Sequence, residues 1–295
     1  MVKNELEWLQ GIYSALVTPM DCSEEINFSV LRDIVEYQIS QGVEGFYCCG
    51  SSGEALLLTL EERQAIVKAV VSQVAGRVPV IAHVGTIRTK DATWLASRAF
   101  DDGVSAVSMI PPYYYKFTQE EIIGYYLDVV KEVELPIIIY NIPQFTGISF
   151  NKGNAGVLLE NDSVVGVKHT SNNLYELERM KAAFPDKLYF NGFDETFLPA
   201  LSIGADSTIG TTVNLFASRF RKIRDLYKDG RMTEALVQQS ILNSNVELLV
   251  KHGIFNGVKY AMSIKGFPCG SCRAPFKKLS DFAQREIECM LKEKY

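Results

Sequence analysis

A lysine closes the apolar part of DSVVGVKHTSNN, residues 162–173. Val164, Val165 and Val167 form a short β-branched run, the pattern of a fully buried strand, and Lys168 stands at its end. An amine beside an apolar interior is costly to charge, so its pKa falls. A neutral amine is a nucleophile whose natural electrophile is a ketone or aldehyde, and the product is an imine. Once protonated, an imine withdraws electrons and lets the neighbouring C–C bond break or form. The chemistry needs no metal and no prosthetic group. The other reading of a strand-end lysine is that it snorkels its ammonium into water. The choice between them depends on what surrounds Lys168.

Several polar stretches are candidates for that company. GSSGE spans residues 50–54, PPYYY 111–115, NGFDE 191–195 and GTT 210–212, and Tyr140-Asn141 ends the apolar run IIIYN. In GSSGE, Gly50 and Gly53 permit a tight turn that turns the N–H groups and hydroxyls of Ser51 and Ser52 toward a carboxylate. Taken alone, the same residues also read as an ordinary polar turn. The Tyr140 phenol suits a buried hydrogen bond, the commoner fate of such a residue, or a proton relay next to Lys168. His83, His169 and His252 are scattered without ligand spacing, so no metal site is expected. GSSGE lacks the G-x-G-x-x-G of a dinucleotide loop.

The elements that must position these residues alternate along the chain. Strand-like runs begin at Ile12, Gly45, Val78, Ser105, Leu135, Ser163, Lys187 and Asp206. Helical patterns separate them. Thr59-Leu60-Glu61-Glu62 and Thr118-Gln119-Glu120-Glu121 are capping boxes. The first opens a helix with Ile66, Ala69, Val70 and Val74 on one face, and the second precedes Ile122, Tyr126 and Val129. Gly42, Gly76 and Gly103 fall where helices should stop. Repeated strand–helix units imply a parallel sheet, and eight of them imply an α/β fold of the (β/α)₈ TIM-barrel type. Its catalytic barrel is expected over 1–224, with a packed helical extension over 225–295. In such a barrel the active site lies at the C-terminal ends of the strands. The polar stretches named above then converge on Lys168, and this favours the imine reading over snorkelling.

Composition narrows the class. The chain has 295 residues, 47% of them hydrophobic, enough for a sizeable core, and a formal net charge of −5. No Lys/Arg block marks a nucleic-acid or membrane partner. The beginning MVKNELEWLQG lacks the apolar core of a signal peptide, and the last residues, LKEKY, match no lipidation signal. The expected location is the cytoplasm. Six cysteines in a chain of this length are expected as free thiols. The C-x-x-C of Cys269 and Cys272 falls in the helical extension, where a structural loop is expected rather than a redox site.

The motifs GSSGE, PPYYY, YNIP, VGVKHTS and NGFDE, in this order from about Ile12 to Phe276, resemble the class I pyruvate-dependent aldolases, the dihydrodipicolinate synthase and neuraminate lyase superfamily. By that resemblance Lys168 forms the Schiff base, Tyr140 is the acid/base, and Ser51 and Ser52 hold the pyruvate carboxylate. Ser52 would also touch the Tyr140 hydroxyl. Tyr114 would complete the relay in a neighbouring subunit's site, which implies an oligomer, typically a homotetramer. For Tyr113 and Tyr115 an interface role without catalysis is expected. The synthase branch carries an arginine two residues after the YNxP proline; here Phe145 stands there. Phenylalanine cannot grip a carboxylate. Asp194 and Glu195 would repel one but accept hydrogen bonds from a polyol. The resemblance is therefore to the neuraminate lyase branch, with Thr170, Gly192, Asp194, Glu195 and Thr211 contacting the sugar. It implies cleavage of N-acetylneuraminate to N-acetylmannosamine and pyruvate, with no cofactor beyond the covalent lysine imine. Thr211 stands where the lyases carry Ser, Ser52 where they carry Thr, and Val213 where they carry Tyr. The alternatives are an aldolase for another 2-keto-3-deoxy sugar acid, a synthase-like condensing enzyme, or a non-catalytic sugar- or pyruvate-binding barrel.

Overall fold

A computed structural model of the chain describes residues 6–292. The terminal stretches inspected for targeting and lipid signals run into residues 1–5 and 293–295, which lie outside the described residues. Eight parallel strands close into a barrel in chain order. They are β1 (Ile12–Ala15), β2 (Gly45–Cys48), β3 (Val80–His83), β4 (Ala106–Met109), β5 (Ile137–Asn141), β6 (Val164–His169), β7 (Leu188–Asn191) and β8 (Ser207–Gly210). Each falls within one of the apolar runs, and every residue in them is buried. Burial on both faces is what continuous apolar strands demand.

Two apolar layers result. The lumen is filled by Tyr13, Tyr47, Ile81, Ile138, Phe190 and Ile209 among others. The outer layer, under the helices, takes Ile137, Ile139, Val164 and Val167 together with Ile66, Val70, Ile122 and Val129. Both capping boxes form. In the Leu60–Val74 helix Thr59 Oγ1 accepts from Glu62 N at 3.1 Å, and Glu62 Oε2 accepts from Thr59 N at 2.7 Å. The Gln119–Glu132 helix repeats this with Thr118 and Glu121. Gly103 ends the Thr89–Asp102 helix at φ +83°, a left-handed conformation that glycine adopts without strain.

One irregularity bears on the site. Ile137 pairs with Val164, but Ile138 pairs with Gly166, so Val165 is an extra residue in β6. A Cβ at Gly166 would lie 2.2 Å from Leu188 O. Past this bulge the pairing is regular and sets Tyr140 beside Lys168.

The helix Val213–Lys228 follows β8 and runs through residues 224 and 225, and the helices Met232–His252, Ile254–Ile264 and Asp281–Lys292 follow it. None of the described helices is long and apolar enough to cross a membrane. Cys269 and Cys272 are buried free thiols in the turn between the last two helices. Burial pushes both up to about 12, far from the thiolate that redox work requires.

Candidate active site

Lys168 ends inside the barrel mouth with 3% of its surface exposed. Its Nζ lies 4.1 Å from the centroid of the Tyr47 ring and 3.9 Å from that of Tyr140. Burial lowers the lysine pKa; Tyr140 and the Asp194 carboxylate pull toward the cation, and burial prevails. Two aromatic faces thus stand in for the water an ammonium would otherwise hold. Tyr47 is fixed by a 3.2 Å hydrogen bond between its hydroxyl and Ser108 Oγ. His83 packs edge-on against Tyr140, ring centroids 5.9 Å apart. Burial and the neighbouring Arg63 keep His83 neutral, far below its ordinary pKa. Its Nδ1 lies 3.0 Å from Cys49 O and donates there, which leaves Nε2 as an acceptor.

The loop after β7 supplies the facing wall. Asp194 Oδ2 accepts from Thr212 N and Thr212 Oγ1, both at 2.7 Å. Its Oδ1 is buried without a partner, as is Thr170 Oγ1. Burial raises the Asp194 carboxyl to about 6, against the downward pull of the two Thr212 bonds. Two glycines make this wall possible. A Cβ at Gly192 would sit 1.8 Å from Thr170 Oγ1, and one at Gly210 would sit 1.9 Å from Asp194 Oδ1. The helix Met232–His252 holds the loop from behind: Gln239 Nε2 donates to Asp194 O at 3.1 Å, and Asn243 Nδ2 to Glu195 O at 3.2 Å.

Lys168, Tyr140, Ser51, Ser52, Thr170, Gly192, Asp194, Glu195 and Thr211 line one cleft of about 160 Å³. One expected contact is not formed. Ser52 Oγ lies 2.7 Å from Thr211 Oγ1, and no hydrogen bond joins Ser52 to Tyr140. Thr211, at the end of β8, takes the Ser52 hydroxyl instead; β8 lies one strand from β2 through β1. Tyr114 does not line its own chain's cleft. It is 85% exposed, at φ +77°, with its ring edge-on to Tyr115. Phe145 is 65% exposed at the rim.

Sequence reasoning missed Tyr47, which reads as one more core aromatic of GFYCC. It also missed Thr212, passed over beside Thr211, and the wall formed by Val246, Val250, Ile254 and Phe255 of the helical extension. Only the alternation in β2, which aims Tyr47 into the lumen, signalled the first of these.

A family model described as "Dihydrodipicolinate synthetase family" matches residues 8–294. The N-acetylneuraminate lyase of Rhizobium meliloti (strain 1021) is 39% identical over 273 residues, 92% of this chain and 91% of the relative. CdNal from Clostridium difficile, solved in complex with mannosamine, superposes with a TM-score of 0.94 at 37% identity, covering 96% of this chain and 98% of that one. Dihydrodipicolinate synthase DapA-2 from Bacillus anthracis reaches a TM-score of 0.93 at 26% identity, covering 97% and 99%.

Proposed function

The chain belongs to the dihydrodipicolinate synthetase family, and from that premise we propose that it cleaves N-acetylneuraminate to N-acetylmannosamine and pyruvate through an imine on Lys168. The observation that carries the reading is the pairing of a desolvated lysine with a facing wall of free acceptors. Lys168 sits between two aromatic rings, and Asp194 Oδ1 and Thr170 Oγ1 are buried without partners across the cleft. Relatives bearing the name N-acetylneuraminate lyase at 34–39% identity support the substrate.

The neutral amine of Lys168 adds to the C2 carbonyl of the open-chain 2-keto acid, and loss of water gives the iminium. Ser51 and Ser52 hold the carboxylate. Tyr140 takes the proton of the C4 hydroxyl as the C3–C4 bond breaks, and the electron pair flows into the iminium to give an enamine. N-acetylmannosamine leaves. The enamine is protonated at C3, and water releases pyruvate and the free lysine. The iminium is the electron sink, so no cofactor is needed. Asp194, Glu195, Thr170 and Thr211 accept and donate hydrogen bonds along the polyol, and Gly192 leaves room for Thr170. The same site would serve another 2-keto-3-deoxy sugar acid, and the exposed Phe145 in place of an arginine argues against a dicarboxylic substrate.

The reading extends to a cytoplasmic homotetramer in which Tyr114 joins a neighbouring subunit's relay. A tyrosine at 85% exposure with a left-handed backbone supports it. The barrel over 1–224 carries the chemistry, and 225–295 closes the mouth. The test is the intact mass after incubation with N-acetylneuraminate and borohydride. A pyruvate-sized adduct on Lys168 is expected. An adduct the size of the whole sugar acid points to a different true substrate, and a blank with pyruvate as well overturns the enzymatic reading. Sedimentation at equilibrium checks the tetramer.

A further inference from the structure

Glu54 ends the GSSGE stretch, and its side chain and that of Lys259 are both 0% exposed. Glu54 Oε1 accepts from Lys259 Nζ at 2.8 Å across 205 residues of sequence. Each group has a second, backbone partner. Glu54 Oε2 accepts from Arg273 N at 2.7 Å, and Lys259 Nζ donates to Ser271 O at 2.7 Å.

The surroundings give this pair its meaning. Glu54 stands at φ +61° between two short 3-10 turns, Ser51–Gly53 and Ala55–Leu57. The left-handed residue reverses the chain directly after the two serines that face the cleft, and Thr18 Oγ1 steadies Gly53 O at 2.8 Å. Lys259 belongs to the Ile254–Ile264 helix, whose first residues, Ile254 and Phe255, line the same cleft. One ion pair therefore fixes both the serine turn and the wall opposite it. As a source of stability such a pair is poor. Desolvating two charges consumes most of what their attraction returns, and an apolar pair of equal volume often holds a fold as well. What the charges add is a single geometry, since neither partner can shift without leaving a buried charge uncompensated.

We propose that Glu54 and Lys259 are positioning residues for the substrate carboxylate, holding the Ser51–Ser52 turn in the conformation that binds a 2-keto acid. The inference rests on the proposed function for the identity of the ligand. The test is the double variant Glu54→Gln with Lys259→Met, which removes both charges and keeps the volume. Pyruvate is titrated against the full-length parent and variant with borohydride trapping. The half-saturating pyruvate concentration is expected to rise about tenfold. The trapping rate at saturation should stay within about threefold, because Lys168 is untouched. Amide exchange at Ser51–Gly53 should quicken while the rest of the barrel keeps its protection. A variant that binds pyruvate as the parent does overturns the proposal. So does a parallel loss of affinity, limiting rate and protection throughout the barrel, the mark of a purely structural pair. Should the parent itself trap no pyruvate, the functional reading falls. The pair is then judged by exchange alone, and unchanged exchange at Ser51–Gly53 overturns it.

Discussion

The two walls of the cleft meet the same force and answer it in opposite ways. On the β5–β6 side, Lys168 is stripped of water and set between the faces of Tyr47 and Tyr140. On the β7–β8 side, Asp194 is equally buried but anchored by two hydrogen bonds from Thr212. Burial drives both groups toward neutrality. For the amine this creates reactivity. For the carboxyl it creates a group near pKa 6 with one oxygen left to meet a ligand. The difference lies in what holds each group: the lysine is held between two rings with the Tyr140 hydroxyl as its polar neighbour, whereas the aspartate is anchored through one oxygen by Thr212 and keeps the other free.

The largest break in this comparison is Lys168→Met. Turnover should fall by about 10⁴-fold or more, and borohydride should trap nothing. The same variant should melt at a higher temperature at neutral pH, because a buried ionisable group is a cost the fold no longer carries. An unchanged or lower melting temperature would show that the rings compensate the amine fully.

Asp194→Asn acts on the facing wall alone. Cleavage of the sugar acid should lose about 10- to 100-fold in kcat/KM, the scale of a charged hydrogen bond, while trapping of pyruvate persists. The pH dependence sharpens the contrast. The folded-state pKa of about 6 lies above the ordinary carboxyl value of 3.8. The native state therefore holds this proton where the unfolded chain has released it. Stability from this group is full below the ordinary value and is lost as pH rises through about 6. The melting temperature of Asp194→Asn should fall less than that of the parent between those limits.

Tyr47→Leu keeps bulk in the lumen and removes one aromatic face. The apparent pKa of Lys168, read from the pH dependence of trapping, should drop by less than about one unit, the worth of one cation–π contact. An upward shift would mean that water has replaced the ring. The smallest effect belongs to Thr211→Ser. It keeps the hydroxyl beside Ser52 and deletes a methyl, so kcat/KM should change by no more than about fourfold.

These contrasts were unequally legible in the sequence. The strands, both capping boxes and the position of Lys168 follow from local rules of burial, periodicity and capping, and they fell where the residues pointed. Lys259 carries no such signal: within NGVKYAMSIKG it reads as any lysine on a helix, and its partner lies 205 residues away. Tyr47 reads as core because it is core, and its second role appears only when β6 brings an amine over its ring. The Ser52–Tyr140 contact failed for a related reason. Sequence order says which strands carry the two residues, but not that Thr211, brought near by the closing of β8 onto β1, is the partner of Ser52.

The extra residue in β6 has a consequence for how Lys168 becomes an active-site residue at all. Side chains along a strand alternate, so positions four apart share a face. Val164 faces the helices, and strict alternation from it would send Lys168 to the same side, into the oily layer under the helices. Val165 and Gly166 absorb half a period between them, and the amine emerges in the lumen instead. Its reactivity is a matter of phase: two strands of identical composition, one with the bulge and one without, would place the same lysine in an enzyme or in a misfolded core.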